Sequence, residues 1–301
     1  MEIRPVEGAA EREVCFDIFM RAINDLEERR GRDAIDPADM GWMPPSIEHL
    51  AQTDPESLIL ALEGGDPVAF ASAFRREAFW FLSYLFVLPA AQGNGLGRTL
   101  LERLLPDEPT RGSGHLATIV EAAQPVSTML YASVGIAPRV PLYWLDGAPR
   151  PGALPDLPDG ISSEPLSRER HADGLDRLDR ELLGYARSVD HVLWAGEASA
   201  ARAYLDADGE LVAYGYRTSD EWIGPVGAPN EELAAAIVDE LAGAGDGDDG
   251  IITVQVSGSA GTLLRMLLRA GLRSEKGAVL LYSSTGRVPR PSYLMYGGFL
   301  P

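Results

Sequence analysis

Apolar residues follow two patterns along the chain. Continuous or alternating apolar runs, as at 58–62 and 79–88, favour strands, because successive side chains of a strand point to opposite faces. Apolar residues three or four positions apart, as at 96–105, favour helices. These runs follow one another as strand, helix, hairpin, strand, helix, strand and helix. This order predicts an α+β fold.

The same order of predicted elements occurs twice. A glycine-containing turn separates two apolar runs at 63–66 and again at 206–209, which is typical of β-hairpins. Val68 in the first copy corresponds to Val212 in the second, and the helix end at Gly135 corresponds to that at Gly271. We infer duplication of one α+β unit.

The clearest break between the two copies lies at residues 146–160. This stretch contains four prolines and three glycines, a composition typical of a stiff linker. The sequence therefore predicts a first domain at 1–146, a linker at 147–160 and a second domain at 161–301.

Composition narrows the possible partners and the location. The chain has 26 Lys+Arg against 45 Asp+Glu, a formal net charge of −19, so nucleic acid and anionic membranes are excluded as partners. Cys15 is the only cysteine, on an apolar stripe that indicates core packing. A disulfide within the chain and a cysteine-based metal cluster are excluded, and no metal site is predicted. Residues 1–5 carry no apolar signal region, and no apolar run approaches the ~18 residues of a membrane span, so we expect a cytoplasmic protein.

The segment 85–101 combines a buried strand, a glycine-rich loop and the start of a helix. Gly93, Gly95 and Gly97 allow backbone N–H groups to converge on one point without interference from a Cβ atom. The first turn of a helix adds unpaired N–H donors and the positive end of its dipole. Together these features predict a binding loop for a pyrophosphate.

Two other phosphate-binding loops share these features. The chain lacks the Lys-Ser/Thr pair of a nucleotide P-loop. The spacing of Gly93, Gly95 and Gly97 departs from the Rossmann G-x-G-x-x-G pattern, and no acidic ribose ligand follows a neighbouring strand. A glycine-rich turn without a ligand is the remaining interpretation, and a lone glycine loop does not exclude it, so the surrounding sequence must decide.

With that surrounding sequence, the chain resembles the GNAT N-acetyltransferase superfamily. The family signature Q/R-x-x-G-x-G/A follows a long central strand, and Gln92-Gly93-Asn94-Gly95-Leu96-Gly97 matches it here. Further along, the family has an Asn, a Tyr seven residues later and then Gly-Phe. Gln124, Tyr131 and Gly135-Ile136 hold these positions, with Gln and Ile as departures. The resemblance covers residues 1–145, and the second half is similar to the degenerate copy of tandem GNAT proteins.

The resemblance implies a fold and a reaction. The fold is α+β (α/β three-layer), with two tandem domains, each a mixed, mostly antiparallel central sheet flanked by helices. The co-substrate is acetyl-CoA, the acceptor a small-molecule or peptide amine, and the protein a monomer or homodimer. The amine attacks the thioester carbon directly, and a tetrahedral oxyanion collapses to release thiolate. The residues implied in cofactor binding are Leu85, Phe86, Val87, Gln92, Gly93, Asn94, Gly95, Leu96, Gly97, Arg98, Thr99 and Gln124.

The resemblance also implies Tyr131 as the general acid. A phenol, with a pKa of ~10, is neutral at working pH and can protonate a departing thiolate. Tyr131 lies four residues before Gly135, and the residue four before Gly271 is Leu267, so the second copy would keep the packing and lack the hydroxyl. The alternative interpretation is a tyrosine that packs its helix against the sheet.

The general base is less well defined. Glu121 follows the predicted strand 116–120, where the active cleft of the family opens. The alternative for Glu121 is a solvated carboxylate at a strand end. Ser83 and Tyr84 on the central strand could instead relay a proton through water.

The second half lacks the glycine-rich loop. Residues 227–232 stand in its place and include Glu231 and Glu232, which would repel a pyrophosphate. We therefore expect a non-catalytic second domain. Two alternatives for the whole chain stay open: a GNAT-like module that binds coenzyme A or a small ligand without turnover, and a purely structural or interaction protein.

Overall fold

The computed structural model describes residues 1–107, 114–121, 124–244, 250–274, 278–298 and 300. The chain forms two compact units, Met1–Leu116 and Ala117–Pro301. Across these described ranges, no helix combines the length and the apolar composition that a membrane crossing requires. The domain division at 147–160 stays a prediction.

The first unit contains an antiparallel sheet in the order β1-β2-β3-β4, on which three helices pack. The predicted first strand, first helix, hairpin, central strand and loop-following helix are confirmed. Helix α2 was not predicted, because its first turn contains Pro44 and Pro45; proline is accommodated there since the N–H groups of a first turn need no helical acceptor. The elements are β1 (Glu2–Pro5), α1 (Gly8–Arg29), α2 (Met43–Thr53), β2 (Leu58–Glu63), β3 (Asp66–Arg76), β4 (Phe79–Val87), α3 (Leu96–Leu104) and the start of β5 (His115–Glu121).

A β-bulge divides the central strand β4 into two parts. Against β3, the strand contains one additional residue, at Ser83. A bulge of one residue reverses the alternation of side chains between the two faces of a sheet. Trp80, before the bulge, donates its indole N–H to the Leu104 carbonyl of α3 at 3.1 Å. Phe86, after it, contacts Phe19 of α1 at a ring-centroid distance of 4.9 Å.

The second unit contains the remaining elements. From β7 onward they repeat the order of the N-terminal half, which confirms the predicted tandem arrangement. The elements after β5 are α4 (Pro125–Ala132), β6 (Ala137–Gly147), β7 (Ser162–Pro165), α5 (Arg168–Leu182), α6 (Asp190–Glu197), β8 (Ala198–Leu205), β9 (Leu211–Thr218), β10 (Trp222–Gly227), α7 (Glu231–Gly243), β11 (Ile252–Ser257), α8 (Gly261–Ala270), β12 (Val279–Ser283) and β13 (Tyr293–Leu294).

The strands of the second unit lie in the order β5-β12-β6-β11-β10-β9-β8-β7. Each neighbouring pair is antiparallel except β10 and β11, which are parallel. The predicted mixed, mostly antiparallel sheet is therefore confirmed.

The last strand of each half lies among the strands of the other half. If each half formed its own sheet, β6 would pair with β5, and β12 would pair with β11. Instead, Leu280 of β12 lies opposite Val120 of β5 on one side and Pro141 of β6 on the other. The other neighbour of β6 is β11. The sequence analysis predicted neither β12 nor this exchange.

The strands β10 and β11 diverge, and the C-terminal segment lies between their ends. They pair only at the first two residues of β10, Trp222 and Ile223. Beyond that point β13 lies beside β10, with Leu294 opposite Val226. Met295 then forms a bridge to β11. The gap between the diverging strands is therefore filled by backbone of the same chain.

The proline- and glycine-rich segment between β6 and β7 packs against the second unit. Leu154 is buried in the apolar core formed by α7, α8 and the strands beneath them. The backbone N–H of Arg150 donates to the carbonyl of Ala270, the last residue of α8, at 2.7 Å. These contacts hold the segment along the end of α8.

Cys15 lies on the buried face of α1 and is fully enclosed. Burial, with a smaller contribution from Glu11, raises the pKa of the thiol to about 12. The predicted core-packing role of Cys15 is confirmed.

Candidate active site

The glycine-rich loop begins where β4 ends. Val87 ends the strand, Pro89–Ala91 form a 3-10 turn, and α3 begins at Leu96. Gly93 and Gly95 have φ angles of 84° and 81°, in the left-handed region. A Cβ atom at either position would have no other atom within 4 Å. Backbone conformation rather than crowding therefore favours glycine, and the space above the loop is open.

The start of α3 presents backbone donors to this open space. The first bond of the helix runs from the Thr99 N–H to the Gly95 carbonyl at 3.0 Å. The N–H groups of Leu96, Gly97 and Arg98 precede it and have no acceptor within the helix. Among the residues that the structure describes, none of these three groups donates to a backbone carbonyl. Three such donors at the positive end of a helix are suited to an anion.

Two polar side chains of this segment, those of Gln92 and Arg98, have partners within the protein. The Gln92 side-chain amide donates to the Val87 carbonyl at 2.9 Å, which ties the loop to the end of β4. Arg98 lies 3.8 Å from Glu102 across an exposed helical turn. Gln92 therefore shapes the loop, and anion binding depends mainly on backbone groups.

Phe86 and Val87, two of the residues implied in cofactor binding, end β4, and a backbone N–H there could polarise a thioester carbonyl. Leu88 donates its N–H to the carbonyl of Val68 in β3, at 2.9 Å. Backbone groups alternate sides along a strand, so the Phe86 N–H faces β3 and the Val87 N–H faces away from it. Leu85 faces the same way as Val87. The strand geometry therefore favours Val87 over Phe86 as the donor.

Tyr84 joins β4 to α2. Its hydroxyl lies 2.5 Å from the Ser46 hydroxyl, which itself donates to the Met43 carbonyl at 2.8 Å. Because a serine has one hydroxyl proton, Tyr84 donates in this pair. The phenol is buried and its proton is held in that bond, so the geometry favours a structural role over a proton relay.

The second unit contains the other predicted site residues. Gln124 lies directly before α4, and Tyr131 lies within it. Gln124 precedes the helix, with its N–H donating to the Glu121 carbonyl at 3.1 Å and its carbonyl accepting from Thr128 at 3.0 Å. Its side chain makes no capping bond, and Pro125 opens the helix. Tyr131 lies two turns along and is the only buried residue of α4.

Tyr131 sits in an apolar, aromatic environment. Its ring meets that of Tyr282 edge-on, with centroids 6.3 Å apart and planes at 69°. Burial first, and then the neighbouring Tyr282, raises the pKa of Tyr131 above its ordinary value. Tyr131 is therefore a neutral phenol throughout the physiological range. Its role as a general acid stays a prediction.

Leu267 is the structural equivalent of Tyr131. The Tyr131 carbonyl accepts from the Ile136 N–H at 3.0 Å, and the Leu267 carbonyl accepts from the Leu272 N–H at 3.2 Å. Leu267 is fully buried. The expectation that the second copy keeps the packing without the hydroxyl is confirmed.

Glu121 is the last residue of β5 and is half-buried. It lies opposite Val279 of the exchanged strand β12. Its role as a general base stays a prediction.

The helix that follows β10 has a different N-terminus from α3. The Asn230 side chain caps α7 by accepting from the Leu233 N–H at 2.8 Å. Glu231 accepts from the N–H groups of Thr262 and Leu263, at 2.9 and 2.7 Å, at the start of α8. In the second half, the side chains of Asn230 and Glu231 thus accept hydrogen bonds from N–H groups at helix starts, the kind of donor that would bind a phosphate.

Two features near the site were missed by the sequence analysis, Ser46 and Tyr282. The apolar run 279–282 carries a strand signal. No local signal shows which strands lie beside it. Nothing in the local sequence distinguishes Ser46 from other polar residues.

The glycine loop between a central strand and a helix is the feature on which the chain resembles the GNAT family, and sequence comparison agrees with that resemblance. The sequence model of the Acetyltransferase (GNAT) family matches residues 21–136. The matched segment, in the N-terminal half of the chain, is therefore similar to the GNAT family, whose general chemistry is acyl transfer. No curated protein matches the chain significantly.

Solved structures share the fold over the whole chain. A candidate acetyltransferase from Pyrococcus horikoshii has 15% identity and a TM-score of 0.72, covering 100% of this chain and 95% of its own. A GCN5-related N-acetyltransferase from Sphaerobacter thermophilus has 17% identity and a TM-score of 0.61, covering 96% of each chain. A tandem GNAT protein from the clavulanic acid biosynthesis pathway has 14% identity and a TM-score of 0.55, covering 96% of this chain and 100% of its own. At such identities the likeness shows the tandem GNAT fold.

Proposed function

We propose that the protein is an N-acetyltransferase that moves the acetyl group of acetyl-CoA to a primary amine by direct attack. The observation that carries this proposal is the loop Gln92–Gly97, where two left-handed glycines open directly onto the first turn of α3. The family match over residues 21–136 supports the same reaction class.

The loop fits the pyrophosphate of the co-substrate. The backbone N–H groups from Gly93 to Arg98 would hold it, because their surroundings are open and lie at the positive end of α3. Leu85 and Val87 of β4 would lie beside the thioester, with the Val87 N–H polarising its carbonyl. Acetyl-CoA supplies the activated acetyl group.

In the proposed reaction, Glu121 accepts a proton from the ammonium form of the acceptor, which frees the nitrogen lone pair. A carbon–nitrogen bond then forms and the carbon–sulfur bond breaks. Tyr131 donates its proton to the departing sulfur, which leaves as a thiol, and the resulting phenolate takes up the second proton of the acylated nitrogen, which leaves a neutral amide. No covalent intermediate with the protein is required.

The acceptor in this proposal is a small molecule or peptide with a primary amine. Amines are cations at neutral pH, and the chain has a formal net charge of −19. A strongly negative surface raises the rate at which cations arrive. The charge therefore supports a cationic acceptor.

Two measurements on the purified protein test the proposal. Calorimetric titration measures coenzyme A binding, and release of free thiol from acetyl-CoA measures transfer to a panel of polyamines, aminoglycosides and peptide N-termini. Binding with amine-dependent thiol release supports the proposal. Binding without any turnover would indicate the alternative, a GNAT-like module that holds coenzyme A, and the absence of binding would contradict both.

A further inference from the structure

The exchanged strand β12 brings a residue of the C-terminal half to Tyr131. Antiparallel pairing with both β5 and β6 places Tyr282 opposite Thr118 on one side and Pro138 on the other. Tyr282 is 1% exposed. Residues 161–301 thus contribute a buried aromatic side chain to the strands that follow the glycine-loop segment in sequence.

Tyr282 contacts α4 at two points, one turn apart. Its hydroxyl lies 3.1 Å from the Thr128 hydroxyl. Its ring meets the Tyr131 ring edge-on at 6.3 Å. Residues three apart on a helix share a face, so Tyr282 contacts the face of α4 from which Tyr131 projects.

The helix α4 depends on tertiary contacts for its orientation. It is eight residues long, and helices of that length are unstable without tertiary contacts. Val126 and Met129 on its other side are 79% and 63% exposed. The contacts of Thr128 and Tyr131 with Tyr282 therefore fix the rotation of α4 about its axis.

We propose that Tyr282 is a positioning residue for the acetyl transfer, which orients Tyr131 through the ring contact and through the hydrogen bond to Thr128. This inference rests on the proposed function. It assigns the C-terminal half a part in catalysis: that half supplies the strand that orients the proton donor.

The test compares the kinetics of Tyr282→Phe, Thr128→Val and Tyr131→Phe, alone and combined, with acetyl-CoA and the best amine of the panel. Tyr282→Phe and Thr128→Val each keep the packing and remove the same hydrogen bond. Each should lower kcat about 5- to 10-fold, the equivalent of one net hydrogen bond, and the double variant should lose no more than either single one. The KM for acetyl-CoA should stay unchanged.

Coupling to Tyr131 separates positioning from a general structural effect. In the Tyr131→Phe background, Tyr282→Phe should cause no further loss of kcat, because the proton donor is already absent. Thermal unfolding of each variant confirms that the protein is folded. Tyr204→Phe is the matched control: Tyr204 is equally buried, in β8, and packs in the core under α7, so kcat should not change.

The outcomes distinguish this inference from the proposed function. Wild-type kcat in both Tyr282→Phe and Thr128→Val, with a large loss in Tyr131→Phe, would overturn the positioning role and leave the proposed function standing. An equal loss from Tyr282→Phe in both backgrounds would also overturn it. Full turnover in Tyr131→Phe would overturn both.

Discussion

At the scale of single residues, Gly95 meets two requirements of the loop. Its φ of 81° lies in the left-handed region, and its carbonyl accepts the first bond of α3 from Thr99. A side chain at this position would stand beside the N–H groups that follow. A carboxylate would occupy those donors and repel a phosphate.

Gly95→Glu is expected to lower coenzyme A affinity by at least about 100-fold while the protein stays folded. A left-handed conformation costs a non-glycine residue ~1–2 kcal/mol, which is small beside a typical stability of ~5–15 kcal/mol. Calorimetry with coenzyme A measures the affinity, and thermal unfolding measures the stability.

The matched control is Gly64→Glu. Gly64 has a φ of 64° in the β2–β3 turn and open space around it, so the variant adds the same charge and similar strain outside the loop. Coenzyme A affinity should be unaffected. Equal affinity of the two variants would count decisively against the site.

Tyr131→Phe is expected to lower kcat by ~10²–10⁴-fold, the usual range for general acid catalysis. The ring and its contact with Tyr282 are retained, so coenzyme A affinity should stay within about twofold. Steady-state kinetics with a working acceptor and calorimetry make the comparison. Full turnover would show that Tyr131 only packs α4, and that water or another group protonates the sulfur.

At the scale of elements, a buried polar network holds the helices α5 and α6 against the sheet of the second unit. Arg187 donates to both carboxylate oxygens of Asp179, at 3.0 and 3.2 Å, and to the hydroxyls of Tyr214 and Tyr293. His191 lies 3.1 Å from the same carboxylate. All five side chains are buried. The network joins α5, α6, β9 and β13.

This network favours the ionised form of the Asp179 carboxyl group. Burial by itself would raise the pKa of Asp179, but Arg187 and the hydrogen bond from His191 outweigh burial. The pKa of Asp179 therefore lies well below its ordinary value. A depressed carboxyl pKa contributes stability that is present above the unfolded pKa of ~4 and is lost as the pH falls towards the folded pKa.

Asp179→Asn is expected to lower the free energy of unfolding by ~3–5 kcal/mol at pH 7, because Arg187 is left as a buried charge without its partner. The difference from the wild type should narrow as the pH falls below about 4, because the carboxyl of the unfolded wild-type chain becomes protonated there while that of the folded protein stays ionised. Urea unfolding at a series of pH values measures both effects.

The control on the same helix is Asp173→Asn, which removes the same charge from an exposed position. Its effect should stay within about 0.5 kcal/mol. Similar losses from the two variants would mean that net charge, rather than the buried network, governs this dependence on pH.

At the scale of the whole molecule, the two halves share an order of elements and differ where a cofactor would bind. The first half has an open glycine loop before α3. In the second half Asn230 caps α7, Glu231 caps α8, and β13 lies between the diverging ends of β10 and β11. At these described positions, the helix start and the gap between the strands are occupied by groups of the chain itself.

We expect one coenzyme A per chain. Calorimetric titration should give a stoichiometry of about one, because the loop Gln92–Gly97 leaves donors at the start of α3 free, whereas Asn230 caps the corresponding helix α7. Gly95→Glu should then remove all measurable binding. Two equivalent sites, or one full site surviving in Gly95→Glu, would place a cofactor in the second half and contradict this prediction.

The sequence by itself determined the order of elements, the duplication and the glycine loop. Hydrophobic periodicity, turn chemistry and the conformational freedom of glycine are properties of residues close together in the chain, so they can be recognised without a fold. The run 79–88 predicted β4, and Gly93 and Gly95 predicted the loop. The helix α2, which has proline in its first turn, was not predicted because its local sequence favours a loop.

Only the tertiary structure decided which strands became neighbours. Thr128 and Tyr282 share a hydrogen bond across 154 positions of sequence, and no local pattern connects them. The placement of β12 between β5 and β6, and of β13 beside β10, depends on which apolar surfaces are buried together. Such pairings are set by the free energy of the whole packed sheet, so the partner of Tyr131 could be recognised only once the strands were in place.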